Sequence, residues 1–255
     1  MPLHKFTRYE LMRRGLEPLL PPLYKTVRKK LMIEASGRPS PCMILDVGGR
    51  KSPYTIGVPG RITVIDLPRQ SEVQNALNLG ITDAIAGEVT ERRSNIDAFI
   101  FGDMTKSDIP DDSYDVIVSV EVLEHVEEDE LFLDQVRRVL KPGGCFLMTT
   151  PNGDYVANKN PDHKRHYKRT QLAALLEDRF GSVNVEYAIA GGTYRKLGLK
   201  SWSLRKPITT AMSAFGNIVN SIQSSNPSLS SSAVGTHHLI AVARKPETRS
   251  SRCAE

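Results

Sequence analysis

The chain predicts an α/β fold, a mostly parallel sheet of seven strands with helices on both faces. Three observations predict it. Short apolar, β-branched runs recur through the first 150 residues: "CMILDV" at 42–47, "RITVID" at 61–66, "IDAFIF" at 96–101, "YDVIVSV" at 114–120 and "CFLMTT" at 145–150. Their near-continuous apolar character marks strands buried on both faces, and the helical patterns between them are the crossovers that parallel strands require. Two later runs, "VNVEYAI" at 183–189 and "HHLIAVA" at 237–243, complete the sheet. With 255 residues, 40% hydrophobic and 25% charged, the chain suits one sizeable core and excludes collagen, coiled coil and wholesale disorder.

Residues 1–36 form an N-terminal helical cap, because "YELMRRGLEPLLPPLYKTVRKKLMIEA" predicts two helical pieces able to cover a cleft. Pro18, Pro21 and Pro22 interrupt any signal-like apolar run, and no stretch approaches the ~18 apolar residues of a membrane span, so a cytoplasmic location is expected. Cys42, Cys145 and Cys253 lack metal-type spacing and read as reduced thiols, the first two inside strands. The core spans 37–190. Within it "ELFLDQVRRVLKPGG", 130–144, predicts a helix with Leu131, Phe132, Val136, Val139 and Leu140 on one face, stopped by Pro142-Gly143-Gly144. "RTQLAALLEDRFG", 169–181, predicts another, with Thr170 as N-cap and Gly181 as C-cap.

Residues 191–236 are an insert before the last strand, and 237–246 and 247–255 are that strand and a disordered tail. "SLRKPITTAMSAFGNIVNSI" places Ile208, Met212, Phe215, Val219 and Ile222 on one helical face, opposite Thr209, Ser213, Asn217 and Asn220. Such a helix is either a lid packed on its own active site or, with Lys196, Lys200, Arg205 and Lys206 around Trp202, a peripheral contact through 196–222 with an anionic membrane, at its inner face for a cytoplasmic protein. Charge is divided along the chain. Residues 1–36 carry eight Lys and Arg against three Asp and Glu, 37–190 carry seventeen against twenty-four, and 191–250 carry eight against one. Basic flanks around an acidic core suit an anionic surface or a phosphate-bearing substrate better than nucleic acid, and no RNA-binding signature accompanies them.

Open sheets of this kind bind ligands beyond the carboxyl ends of their strands. That rule selects Asp46 and the Gly48-Gly49 turn after the first strand, Asp66 at the end of the second, Asp103 after the third, and Ser119 to His125 after the fourth. An acid at the position of Asp66 accepts hydrogen bonds from ribose hydroxyls, which suits NAD and S-adenosylmethionine alike. The glycine loop separates them: Gly48-Gly49-Arg50-Lys51-Ser52-Pro53 lacks the later glycines that let a backbone approach a pyrophosphate, whereas a phosphate-free sulfonium ligand needs only the tight turn. Ser52-Pro53 reads as cap and first residue of a short helix ending at Gly57, its N-terminus facing the ligand, and Arg50 supplies a cation for a carboxylate.

In this order, "ILDVGG", "VIDL", "GDMTKSDIPDDSYDVIVSVEVLEHV" and "LDQVRRVLKPGGCFLMTTPN" resemble the class I S-adenosylmethionine-dependent methyltransferases, over roughly residues 40–190 with 237–243 as the final strand. The resemblance implies a Rossmann-like fold. It puts Asp46, Gly48 and Gly49 at the methionine end, Asp66 with Leu67 at the ribose, Asp103 and Met104 at the adenine, and Ser119, Val120 and Glu121 beside the sulfonium. "DVGGRKSPY" resembles a variant found among bacterial methyltransferases linked to cell-surface polysaccharide pathways. "EVLEHV" is similar to the divalent-metal motif of ubiquinone-biosynthesis O-methyltransferases and small-RNA 2′-O-methyltransferases, which implies Mg2+ on Glu121, Glu124 and His125, brought together at helical spacing. The small-RNA enzymes take a further His after "TPN", where this chain has His163 and His166 in a basic cluster with Lys164 and Arg165.

His125 and His166 are the candidate bases, since an alcohol nucleophile must lose its proton. The sequence thus points to methyl transfer onto oxygen of a small-molecule, glycan or lipid-linked acceptor. The alternatives are an inactive binding or scaffold relative and, less well supported by the loop, an NAD-dependent oxidoreductase.

Overall fold

The computed structural model describes residues 6–49, 52–69, 80–200, 202, 203 and 205–247. Seven strands form one sheet among them: β1 Met43–Val47, β2 Arg61–Asp66, β3 Ile96–Phe101, β4 Tyr114–Val120, β5 Leu140–Pro151, β6 Ser182–Ala190 and β7 Thr236–Arg244. The order is β3-β2-β1-β4-β5-β7-β6. β1 to β5 pair in parallel, and β7 slots antiparallel between β5 and β6. The carboxyl ends of β1, β2, β4 and β5 therefore meet along one edge.

The sheet has two covered faces because successive strand residues point to opposite sides. Leu45, Ile65, Ile117 and Phe146 face α4 (Asp129–Val139) and α5 (Arg169–Glu177), which contribute Phe132, Leu133, Val136, Leu172 and Leu176. Ile44, Ile62, Val64, Val116 and Leu147 face α2 (Pro22–Ser36), which contributes Val27, Leu31 and Ala35. Two helices precede β1: α1 (Arg8–Gly15) opens on a Thr7–Glu10 capping box, and α2 lies on the sheet. Between β2 and β3 sits α3 (Asp83–Arg92), capped by Thr82. Cys42 and Cys145 are free and buried, while Cys253 and the rest of the tail from 248 lie outside the described residues.

Three boundaries differ from the expected ones. α4 ends at Val139, and Pro142-Gly143-Gly144 lies inside β5, where Gly143 N–H donates to the Lys245 carbonyl at 3.0 Å; the strand, not the glycines, stops the helix. Leu131 points outward and Leu133 takes its place in the core. α5 starts at Arg169 with Lys168 as its cap and ends before Asp178, so Thr170 and Gly181 cap nothing. Among the described residues, the crossover after β1 holds only a three-residue 3-10 turn, Pro53–Thr55, too short to aim a helix N-terminus at a ligand.

The insert folds as a hairpin of α6 (Thr193–Gly198) and α7 (Pro207–Ser224). The two helices touch backbone to backbone, since a side chain on Gly216 would come within 2.9 Å of Gly198 N and one on Gly198 would overlap the Asn217 amide. α7 turns its polar side inward: Ser213, Gly216, Asn217 and Asn220 are buried, while Ile208, Met212, Phe215 and Ile222 face outward. No helix among the described residues is long and apolar enough to cross a membrane.

Candidate active site

At the end of β1, Gly48 adopts a left-handed conformation (φ 71°), and a Cβ there would sit 2.6 Å from Val122 Cγ2, so the turn requires glycine. Gly49 rests directly on the Asp46 carboxylate, leaving no room for a side chain. Asp46 is fully buried and accepts a hydrogen bond from Tyr54 Oη at 2.9 Å. Burial pushes its carboxyl up to about 6, against the lowering pull of Ser52, Tyr54 and Arg93. Asp46 thus supports the loop from beneath instead of opening toward the methionine end.

Ser52, where the glycine pattern is broken, has a structural role. Ser52 is buried and its hydroxyl donates to the Gly49 carbonyl, while buried Arg93 donates to Thr55 Oγ1 at 2.7 Å. Ser52, Tyr54, Thr55 and Arg93 form a polar network that closes the turn from within. Arg50 lies outside the described residues.

Asp66 ends β2 with its Oδ1 accepting the Leu67 N–H at 2.8 Å, beside an exposed Leu67 side chain. Asp103 is exposed and caps its own turn through Thr105 at 2.9 Å; Met104 is buried in the core, not presented to a ligand. Ser119 has a buried hydroxyl with no hydrogen-bond partner. A glycine-only turn, a strand-end carboxylate with an apolar neighbour, and an orphaned buried hydroxyl fit a nucleoside ligand without phosphate.

Residues 121–125 form no α-helix; β4 ends at Val120 and a 3-10 turn covers Leu123–His125, so the glutamates diverge. Glu121, left-handed at φ 56°, accepts a hydrogen bond from Thr149 Oγ1 at 3.0 Å and lies 3.3 Å from His238 Nε2. Burial works against its charge, but His238 and Thr149 prevail and hold the carboxyl below its ordinary value. Glu124 is fully buried. Burial first, and the Glu121 charge second, push its carboxyl well above the ordinary range. Environment therefore pushes two nearby carboxyls in opposite directions, the pattern that assigns acid and base roles.

Sequence spacing proposed Glu121, Glu124 and His125 as a metal set; the structure replaces Glu121 with His163. Ligand atoms of Glu124, His125 and His163 lie within 4.8 Å of one another. Glu124 Oε1 is buried without a partner, and the Asp162 carbonyl fixes His125 through Nδ1 at 3.1 Å. Burial, then His125 and His166, lower the His163 pKa, which keeps its imidazole in the neutral form that binds metals. These residues could hold a divalent ion, but one carboxylate with two imidazoles suits zinc, iron or cobalt better than Mg2+, which favours oxygen. His166 stands behind, its Nε2 2.8 Å from His163 Nδ1 and its Nδ1 2.9 Å from the Val156 carbonyl.

Beyond Glu121 opens a cavity of about 140 Å3 lined by Tyr24, Ile189, Arg195, Asn217, Asn220 and His238 among others. His125 and His166 do not line it. Ile189, like Glu121, is left-handed (φ 61°), and a β-branched residue there is costly, so strain gathers on this cavity. The Arg195 guanidinium makes no hydrogen bond or ion pair among the described residues, and burial lowers its pKa despite the Glu121 charge. His238, Arg195, Tyr24 and Thr149 were not picked out by motif; alternation along β7 does turn one of His237 and His238 inward, and it is His238. A wider depression of about 730 Å3, between Gly37, Gly143 and Arg244, lies at the opposite end of the sheet.

Residues 59–148 match the family model for a methyltransferase domain. A probable S-adenosylmethionine-dependent methyltransferase of Mycolicibacterium smegmatis is 32% identical over 109 residues, covering 41% of this chain and 42% of its own. A ubiquinone biosynthesis O-methyltransferase of Paramagnetospirillum magneticum is 33% identical over 86 residues (28% and 34%), and a sterol 24-C-methyltransferase of Aspergillus fumigatus 37% over 73 (27% and 18%). The chain thus spans less than half the length of these curated relatives. Among solved structures, the 1,6-didemethyltoxoflavin-N1-methyltransferase of Burkholderia thailandensis superposes with a TM-score of 0.53 at 18% identity, over 88% of this chain and 79% of that one. An S-adenosylmethionine-dependent methyltransferase of Archaeoglobus fulgidus gives 0.54 at 16%, over 87% and 94%. Sheet order and strand-end site define a doubly wound, nucleotide-binding α/β domain. Residues 59–148 match a methyltransferase domain and the chain is similar, more specifically, to the class I S-adenosylmethionine-dependent methyltransferases, whose cofactor is S-adenosylmethionine.

Proposed function

We propose that this protein transfers a methyl group from S-adenosylmethionine to an oxygen of a small-molecule, glycan or lipid-linked acceptor. The relatives include both C- and O-methyltransferases by name, so the choice of oxygen rests on the site. The observation that carries it is Glu121: a carboxylate at the end of β4, fixed by Thr149 and His238, and opening onto a cavity of about 140 Å3 that Tyr24, Arg195 and His238 also line. When bound, S-adenosylmethionine supplies a methyl group made electrophilic by positive sulfur. The Gly48 turn, Asp66 and Leu67 would hold it. Glu121 accepts the proton of the acceptor hydroxyl, a role the cavity favours for it over His125, and Thr149 and His238 orient the carboxylate. Arg195 gives the same cavity a positive wall, which suits an acceptor carrying a carboxylate or phosphate.

Calorimetric titration with S-adenosylmethionine and S-adenosylhomocysteine, with divalent metal and after chelation, is the first test. Asp66→Ala should weaken binding about tenfold or more through lost charge-assisted hydrogen bonds. Glu121→Gln should leave binding intact and lower turnover about 100-fold or more in an acceptor screen. A loss seen with His125→Ala and not with Glu121→Gln would move the base to the histidine cluster. Of the two loop substitutions that suggest an inactive scaffold, Ser52 belongs to an internal network; failure to bind either nucleoside would favour the scaffold.

A further inference from the structure

We propose that the outer face of α7 is a docking surface for an anionic lipid bilayer. The helix is held with its polar side inward by hydrogen bonds: Ser213 Oγ donates to the Gly198 carbonyl at 2.8 Å, Asn217 Nδ2 to the Leu19 carbonyl at 3.0 Å, and Asn220 Nδ2 to the Ala190 carbonyl at 2.8 Å. Turning the apolar side inward would break all three. That side is left to the outside, with Ile208 76%, Ile222 70%, Phe215 56%, Met212 44% and Ile218 40% exposed. Tyr194 and Leu199 of the hairpin extend it, the tyrosine ring standing edge-on to Phe215 at 6.2 Å. A contiguous apolar patch of this kind marks an interaction site on a folded protein.

Charge identifies the occupant. Lys196, Lys200, Arg205 and Lys206 are exposed beside the patch, and residues 191–246 contain no Asp or Glu to neutralise them. Large apolar side chains on one face with bordering cations are what an interfacial helix presents to acyl chains and anionic headgroups. A second copy would set two cationic borders against each other, and an uncharged partner would leave the cations unmatched.

The full-length protein is sedimented with phosphatidylcholine vesicles with and without phosphatidylglycerol, while emission of Trp202, the single tryptophan, is followed; its indole donates to Ser213 on α7 at 3.0 Å. Binding should need phosphatidylglycerol and fall with added salt. The pair Lys200→Gln and Lys206→Gln should weaken it about 30-fold, from the contribution of each cation near an anionic surface. The pair Phe215→Gln and Ile222→Gln should weaken it more than about tenfold with unchanged melting temperature, both residues being exposed. No binding, equal binding to neutral vesicles, or indifference to both variant pairs would overturn the proposal. So would a dimer in sedimentation velocity that Phe215→Gln dissolves while vesicles stay unbound. The readout involves no methyl transfer, so it stands or falls separately from the proposed function.

Discussion

α4 and α7 are both amphipathic, and they face opposite ways. α4 buries Phe132, Leu133, Val136 and Val139 against the sheet and shows its charges to water. α7 buries Ser213, Asn217 and Asn220 and exposes its isoleucines, methionine and phenylalanine. Periodicity names the two faces of a helix; it does not say which is inward. For α4 the hydrophobic effect decides, because a sheet face must be covered. For α7 the neighbouring surface offers carbonyls of Leu19, Ala190 and Gly198 at the ends of other elements, and a polar face that can donate to them is the better fit.

The comparison breaks most visibly at its two phenylalanines. Phe132→Ala should cost about 3–5 kcal/mol in urea unfolding, whereas Phe215→Ala should stay within about 0.5 kcal/mol; equal losses would mean that α7 packs its apolar side inward. Buried polar groups in core and insert also differ in kind. Asp46 is fully buried under Gly49 with Tyr54 as its donor, and its folded-state carboxyl holds a proton up to about pH 6 while the unfolded one releases it near 3.8. A raised acid binds its proton more tightly when folded, so this group's contribution to stability is full below pH 3.8 and is lost as pH rises through 6. Asp46→Asn should remove a fall of up to about 3 kcal/mol between those limits, read as the difference between variant and parent unfolding curves across pH; parallel curves would mean an unperturbed Asp46. The smallest effect belongs to the insert. Asn217→Ala leaves the Leu19 carbonyl without its amide donor and the Gly198 carbonyl with Ser213 alone, and should cost about 1–3 kcal/mol, with Tyr24 and Arg195 of the adjoining cavity the first to shift by NMR; no change would show that α7 is not held by its amides.

The strands were legible to within a residue or two at most ends because continuous apolar β-branched runs have one reading when both faces are buried. β5 was the exception. It begins at Leu140 and runs through a Pro-Gly-Gly stretch that local rules treat as a stop, because pairing with β7 and β4 outweighs local preference. At the site, the strand-end acids and the glycine turn were legible because topology fixes where loops emerge. The directions of side chains after β4 were not: a helical phase places Glu121 with Glu124 and His125, whereas its left-handed backbone sends it to Thr149 and His238, a partner over 100 residues away. Nothing in local spacing encodes β7 beside β5, and with it the cavity that Glu121 faces.

The glycine contact between α6 and α7 bears on how this protein can diversify. Gly198 and Gly216 exclude every side chain at the crossing, so the hairpin behaves as a single tile whose two helices cannot slide or be repacked one residue at a time. A lineage adapting to a differently shaped acceptor would keep the tile and vary its rim, at Tyr24, Ile189, Arg195 and Leu199, where the cavity wall is made of replaceable side chains.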